Sequence, residues 1–228
     1  MDAVFDCRDA LERLGRDGVV VTMTTPLATN VDATVLSAED VLSAEEKTRA
    51  GAFANPRDAQ RYTAHRVFLR RLLAGWLGVD ASEIVIRTTE RGRPFLPDFP
   101  TRHFSLSRSG DRLAVALSRL GAVGLDIEWL RPIPEWPELV REWGDQEQEL
   151  VRTAPNPDRE FLVGWTLREA VLKTLGLGLL GSELVGGRSL RDRDGAFLSP
   201  FRCRLGAVAF EAAPIDATTV ASLGRLVE

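Results

Sequence analysis

Cysteine and histidine are scarce in this chain, two of each, and their placement excludes two classes of protein. Cys7 and Cys203 stand near opposite ends without C-x-x-C or Cys/His spacing, so neither a disulfide framework nor a zinc site follows from them. His65 and His103 have no metal-ligand spacing and read as structural side chains. No window approaches the roughly 18 consecutive apolar residues of a membrane span. The N-terminus, Met-Asp-Ala-Val-Phe-Asp-Cys-Arg, lacks the basic region and apolar run of a secretory leader. The expectation is a soluble cytoplasmic protein with no membrane partner. Positive charge is not in excess either. The net charge is −4 and the pI about 5.4, which argues against nucleic acid as a partner.

What is present is enough apolar residue for a proper core, 44% of 228. Arginine clusters between Arg49 and Arg112, which suits an anionic small molecule better than a duplex. Residues 18–24 are β-branched and short, a core strand. Residues 36 to about 52 read as helix, with Ser43/Glu46 and Ser37/Asp40 competing as its capping box. Pro56 can open a second helix running to about Leu77, apolar through Phe68, Leu69, Leu72, Leu73 and Trp76, and arginine-rich on the other side through Arg57, Arg61, Arg66, Arg70 and Arg71. From Ile84 the period turns to alternation. Residues 84–88, 103–107, 113–118 and 123–128 read as strands, the last three as a β-meander. A proline-rich linker follows at 131–137, then a helix from Arg159 to about Leu175 that Asp158 could cap and that Gly176 and Gly178 stop. Strands at 201–212 and 218–226 complete the chain. This is an α+β order in two roughly similar halves, divided as residues 1–120 and 121–228.

Three clusters could carry chemistry. Asp126 and Glu128 are two apart, so on a strand both carboxylates share a face. That pattern is either a strand end turning polar or a pair that holds a hard cation such as Mg²⁺. Glu169 and Lys173 are four apart on the late helix, and Glu169 is the charged member of the stripe Leu162, Trp165, Glu169, Leu172 and Gly176. They form either a surface ion pair or part of a site. Ser107, Arg108 and Ser109 offer hydroxyls and a guanidinium in a turn, either a polar hairpin or a set of phosphate donors.

Together the runs Gly-Arg-Pro (92–94), Phe-Ser-Leu-Ser-Arg-Ser (104–109), Gly-Leu-Asp-Ile-Glu (124–128) and Trp-Thr-Leu-Arg-Glu-Ala-x-x-Lys-x-x-Gly-x-Gly (165–178) resemble the surfactin-type 4′-phosphopantetheinyl transferases. Four blocks in register, over about residues 36 to 190, make the likeness specific. It implies a pseudo-dimer of two α+β halves with the active site in the cleft between them. It implies transfer of 4′-phosphopantetheine from coenzyme A to a serine of an apo acyl or peptidyl carrier protein. On the likeness, Asp126, Glu128 and Glu169 hold Mg²⁺, Glu169 helps deprotonate the serine, and Lys173 contacts the attacked phosphate. Arg93, Pro94, Ser107 and Arg108 would hold the nucleotide and its 3′-phosphate, and the helix carrying Arg61 and Arg66 matches the family's arginine-bearing segment. Two fused halves predict a monomer. The chain departs from the family at Arg108, Arg168 and Ser105, where histidine, lysine and asparagine are usual. Those changes leave open a non-catalytic paralogue that binds coenzyme A or a carrier protein.

Overall fold

The computed structural model describes residues 18–24, 38–203, 205–216 and 218–227; Cys7 and Ser37 lie outside them. Where one helix was expected up to residue 52 there are two, α1 (Ala38–Val41) and α2 (Ala44–Gly51). Ser43 interrupts them in an extended conformation. Its Oγ accepts from the Glu46 amide at 3.3 Å, while the Glu46 carboxylate accepts from the Ser43 amide at 3.0 Å. A capping box starts a helix, so it also ends whatever precedes it.

The long helix α3 (Pro56–Leu77) has the expected bounds. Pro56 occupies its first turn, Asn55 accepts from the Arg57 amide at 2.9 Å, and Gly78 closes it with φ of 75°, which glycine adopts without a Cβ clash. Leu69, Leu72, Leu73 and Trp76 bury their side chains against Phe104, Leu113, Val115 and Leu117 of a three-stranded sheet. That sheet is built from β1 (Val19–Thr24), β4 (His103–Ser109) and β5 (Arg112–Ser118) in the order β1-β5-β4, all antiparallel. The strand expected over 84–88 is only β2 (Arg87–Thr88), paired with β3 (Pro94–Phe95). Its earlier part is diverted because Ile84 is buried and its carbonyl accepts from Arg70 Nη1 at 3.1 Å.

The expected meander does not form. β5 has β4 on one edge and β1 on the other, so β6 (Val123–Trp129) finds no free partner there. It starts a second sheet with β7 (Phe201–Cys203), β8 (Gly206–Asp216) and β9 (Thr219–Val227), in the order β6-β9-β8-β7. Between β6 and β7 come α4 (Trp136–Leu139), α5 (Asp145–Thr153) and α6 (Pro157–Leu175). Asn156, not Asp158, caps α6 by accepting from the Arg159 amide at 3.0 Å. Asp158 instead accepts from the Ile133 amide at 2.9 Å and ties the proline-rich linker to the helix.

Leu167, Val171 and Leu172 of α6 pack on Val208, Phe210 and Phe201 of the second sheet. Each half is therefore a sheet with one long helix on its outer face. The inner faces meet through Val123, Leu125 and Ile127 of β6 against Ala114 and Ala116 of β5, with Val19 and Val21 beside them. The chain is α+β in two similar halves, as its element order implied.

Alternation along β6 turns residues 124, 126 and 128 toward α6. A Cβ on Gly124 would lie 2.1 Å from the Ala170 carbonyl oxygen and 2.4 Å from the Thr174 amide, both backbone atoms that cannot step aside. Gly124→Ala should therefore force α6 off the strand and destabilise the protein by about 1–3 kcal/mol or more. The urea midpoint reports it; a midpoint unchanged from the parent would refute the close approach.

Candidate active site

β6 and α6 bring four of the expected residues, Asp126, Glu128, Glu169 and Lys173, to one small pocket of about 350 Å³, lined also by Trp165 and by Leu106, Ser107 and Arg108 of β4. Leu106, Arg108, Glu169 and Lys173 also line a second cavity of about 930 Å³, whose remaining wall comes mainly from α2, α3 and the hairpin joining β2 to β3. That wall is basic, with Arg49, Arg66, Arg91 and Arg93. An acidic pocket thus opens into a basic one, and Arg108, Glu169 and Lys173 stand at the junction.

In the acidic pocket, Asp126 is only 6% exposed. Its Oδ1 accepts from Ser107 Oγ at 2.7 Å and from Lys173 Nζ at 2.6 Å, and Lys173 also donates to the Leu125 carbonyl at 3.1 Å. The expected i,i+4 pair between Glu169 and Lys173 is not made. The ammonium reaches across to β6, where the deeper carboxylate has more to lose without a counter-charge. Among the described residues Glu169 has neither a hydrogen bond nor an ion pair. Burial raises its carboxyl above the usual range, and the charges of Asp126 and Glu128 raise it further, with Lys173 partly offsetting them. Asp126 is also raised, by burial first and then by Glu128, despite Lys173 and Ser107. Glu128 Oε2 accepts from Ser109 Oγ and from Arg131 Nη1, both at 2.7 Å.

Two carboxylates, Asp126 and Glu169, whose proton affinity is raised with Glu128 beside them, belong to an oxygen-donor set short of positive charge. Among the described residues no three His, Cys, Asp or Glu side chains group closely enough to hold a metal by themselves. The donor chemistry nevertheless fits Mg²⁺, which keeps several waters and binds through one or two carboxylates plus substrate phosphates rather than in an all-protein cage.

The basic cavity takes in some of the expected phosphate ligands and not others. Arg93 and Pro94 line it, and Arg93 Nη1 donates to the Thr174 carbonyl at 3.3 Å, which anchors the side chain next to Gly176. Arg66 lines it too, but its guanidinium is bound to Glu46, as is that of Arg70. Arg61 does not line it, because Asp58 and Asp111 engage its guanidinium. Ser107 lines the acidic pocket and not the basic cavity, whereas Arg108 lines both; the two are neighbours on strand β4 rather than in a turn. Arg108 has no carboxylate partner among the described residues. Desolvation, followed by the charges of Arg66 and Arg49, lowers its affinity for a proton, the mark of a cationic wall without an anion.

Arg49, Tyr62 and Arg91 are wall residues that sequence reasoning did not single out as ligands, although Arg49 and Arg91 fall in the arginine cluster it noted. The Arg49 guanidinium lies 5.7 Å from the centre of the Tyr62 ring, and Phe53 packs on that ring at 5.4 Å. Tyr62 lies one helical turn before Arg66, so extending the arginine face of α3 by four residues would have found it. Arg168, beside Glu169 in sequence, points away from both pockets to Glu147. Its arginine-for-lysine change therefore does not touch the site. Both histidines are kept short of protons by burial, and His65 Nε2 is bonded to the Asp111 carbonyl at 3.2 Å.

A family profile described as "4′-phosphopantetheinyl transferase, N-terminal" matches residues 29–119, and one described as "4′-phosphopantetheinyl transferase superfamily" matches residues 122–206. A phosphopantetheinyl transferase from Thraustochytrium sp. is 32% identical over 198 residues, covering 76% of this chain and 69% of the relative. The chain belongs to the 4′-phosphopantetheinyl transferase superfamily. The 4′-phosphopantetheinyl transferase HetI of Nostoc sp. is 34% identical over 148 residues, which is 62% of this chain and 62% of HetI. The human L-aminoadipate-semialdehyde dehydrogenase-phosphopantetheinyl transferase is 31% identical over 154 residues, 61% of this chain and half the length of the human protein. The superfamily chain thus spans about three fifths of the Nostoc relative and half of the human one. Among its described residues no helix is long and apolar enough to cross a membrane.

Proposed function

We propose that this chain is a surfactin-type enzyme that transfers the 4′-phosphopantetheine group from coenzyme A to a serine of an apo acyl or peptidyl carrier protein, with Mg²⁺, releasing 3′,5′-ADP. The observation that carries the reading is the junction of a basic cavity with an acidic pocket at Arg108, Glu169 and Lys173. A nucleotide with three phosphates needs the first, and attack on its pyrophosphate needs the second. Residues 1–120 would supply the nucleotide wall through Arg49, Arg66, Arg93, Pro94 and Arg108. Residues 121–228 would supply Asp126, Glu128, Glu169 and Lys173. Because one chain carries both walls, the proposal is a monomer, working in the cytoplasm.

Asp126, Glu128 and Glu169 would hold Mg²⁺, which when bound neutralises charge on the pyrophosphate. The carrier serine oxygen attacks the phosphorus that bears pantetheine, and its proton passes to Glu169, directly or through water. The bond from that phosphorus to the bridging oxygen breaks, and the electron pair leaves on 3′,5′-ADP. Lys173 stays on the pocket floor, where its ammonium meets the phosphate oxygens beside Asp126. Burial raises the proton affinity of Glu169 and a cation held by it would lower that affinity, so its service as a base rests on its position beside the serine.

The test is mass spectrometry of apo carrier proteins incubated with this chain, coenzyme A and Mg²⁺. A gain of one phosphopantetheine per carrier is expected. No gain with any of several carriers, alongside calorimetric binding of coenzyme A, would replace the enzyme with a non-catalytic binding protein.

A further inference from the structure

The seam between the two halves holds a repeat that the reaction above does not use. Ser105, Ser107 and Ser109 alternate along β4, all buried, and each turns its hydroxyl to β6 of the other half. Ser105 Oγ accepts from the Leu125 amide at 3.0 Å, and Ser109 Oγ accepts from the Trp129 amide at 3.0 Å. Between these backbone anchors, the two β6 carboxylates are treated alike. Asp126 takes a serine hydroxyl and the Lys173 ammonium on Oδ1. Glu128 takes a serine hydroxyl and the Arg131 guanidinium on Oε2. In each case one oxygen receives two donors, which fills its in-plane lone pairs. The other oxygen, Oδ2 or Oε1, receives none from the described residues.

We propose that Ser109 is a positioning residue: by accepting from the Trp129 amide and donating to Glu128 Oε2, it holds the carboxylate in the rotamer that leaves Oε1 open to a divalent cation. The logic is one of a single hydrogen. A serine hydroxyl has one proton and two lone pairs. With an amide donor fixed on a lone pair, its proton is directed to the carboxylate and not to water. The side chain of Arg131, the second donor on Oε2, is 44% exposed, and an exposed ion pair of that kind holds geometry weakly. Ser109 is only 9% exposed, and its hydroxyl is tied to the Trp129 amide as well as to Glu128. The first half thereby sets the geometry of a ligand carried by the second, which gives a physical reason for assembling the site across the seam. Groups that orient a metal ligand without touching the metal typically contribute about 10–100-fold in metal affinity when removed.

This inference rests on the divalent-cation reading, and the experiment separates the two. Mn²⁺ binding is measured by loss of the free-ion electron paramagnetic resonance signal, with coenzyme A present, for the unaltered chain, Ser109→Ala and Ser109→Thr. Ser109→Ala is expected to weaken Mn²⁺ binding about 10-fold or more, and Ser109→Thr, which keeps the hydroxyl, to remain within a few-fold of the parent. In turnover assays, Ser109→Ala is expected to need more Mg²⁺ for half-maximal rate while recovering most of kcat at saturating Mg²⁺, with an unchanged KM for coenzyme A. Equal Mn²⁺ binding by the parent and Ser109→Ala overturns the proposal, as does a kcat loss that added metal does not restore. An unaltered chain that binds no Mn²⁺ overturns the cation reading itself, and this inference with it.

Discussion

Glu169→Gln should lower kcat by about 10²–10⁴-fold, the usual contribution of one positioned general base, and leave the fold intact. Glutamine keeps the shape and the place on α6 but cannot take a proton from the carrier serine. The expectation that stability survives follows from the sign of the pKa shift. Glu169 is raised in the folded chain, by burial before anything else. A group that binds its proton more tightly folded than unfolded opposes folding once the pH is above both values. At neutral pH the ionised Glu169 is thus a cost to the fold, and its neutral replacement should unfold at the same temperature or slightly higher. Rate and melting temperature would then move independently. Turnover like that of the parent would remove Glu169 from the chemistry. A large loss of melting temperature would instead show the carboxylate to be part of the scaffold.

How much of this was visible in residues alone depended on how local the determinant was. Asp126 and Glu128 share a face because a strand has a period of two, and β6 delivers that whatever lies around it. The bounds of α3 were equally legible, since Pro56, Asn55 and Gly78 act on their own turns. What the residues did not show were choices among partners. The strand order required knowing that β1 takes the outer edge of β5, a pairing almost a hundred residues apart, so β6 was assigned to the wrong sheet. Glu169 and Lys173 have the spacing of an ion pair, yet Lys173 chose Asp126 because burial made that carboxylate the more expensive one to leave alone. Arg61 and Arg66 looked alike on the helix. Only the positions of Asp58, Asp111 and Glu46 distinguish a guanidinium away from the cavity from one on its wall.

The same kind of hidden partnership underlies the largest effect expected on stability. Glu147 of α5 is fully buried, 0% exposed, and its two oxygens tie that helix to α6 and to the segment at 190–191. Oε2 accepts from Arg168 Nη2 at 3.0 Å and from the Leu190 amide at 2.9 Å, and Oε1 accepts from Arg191 Nε at 3.1 Å. Arg191 also pairs with Glu160, and the Arg168 guanidinium lies 3.8 Å from the centre of the Trp143 ring. Planarity matters here, because a lysine could not stack on the indole and bridge to Glu147 and the Arg188 carbonyl at once. Glu147→Gln leaves two buried guanidinium groups without their shared carboxylate, a loss of about 3–5 kcal/mol, or about 10 °C or more in Tm for a chain of this size. Glu147→Leu combined with Arg168→Met should be milder than Glu147→Gln alone, since it removes a charge together with its partner. The pH dependence has a defined sign. Burial by itself would raise Glu147, but Arg168, Arg191 and the Leu190 amide outweigh it and hold the carboxyl below its usual range. Its contribution is therefore present above the unfolded carboxyl pKa and is lost as the pH falls through the lower, folded one. Unfolding free energy should fall more steeply on the acid side in the parent than in Glu147→Gln. Parallel acid limbs, or a single variant as stable as the parent, would show that the buried knot contributes nothing to holding α5, α6 and the segment 189–191 together.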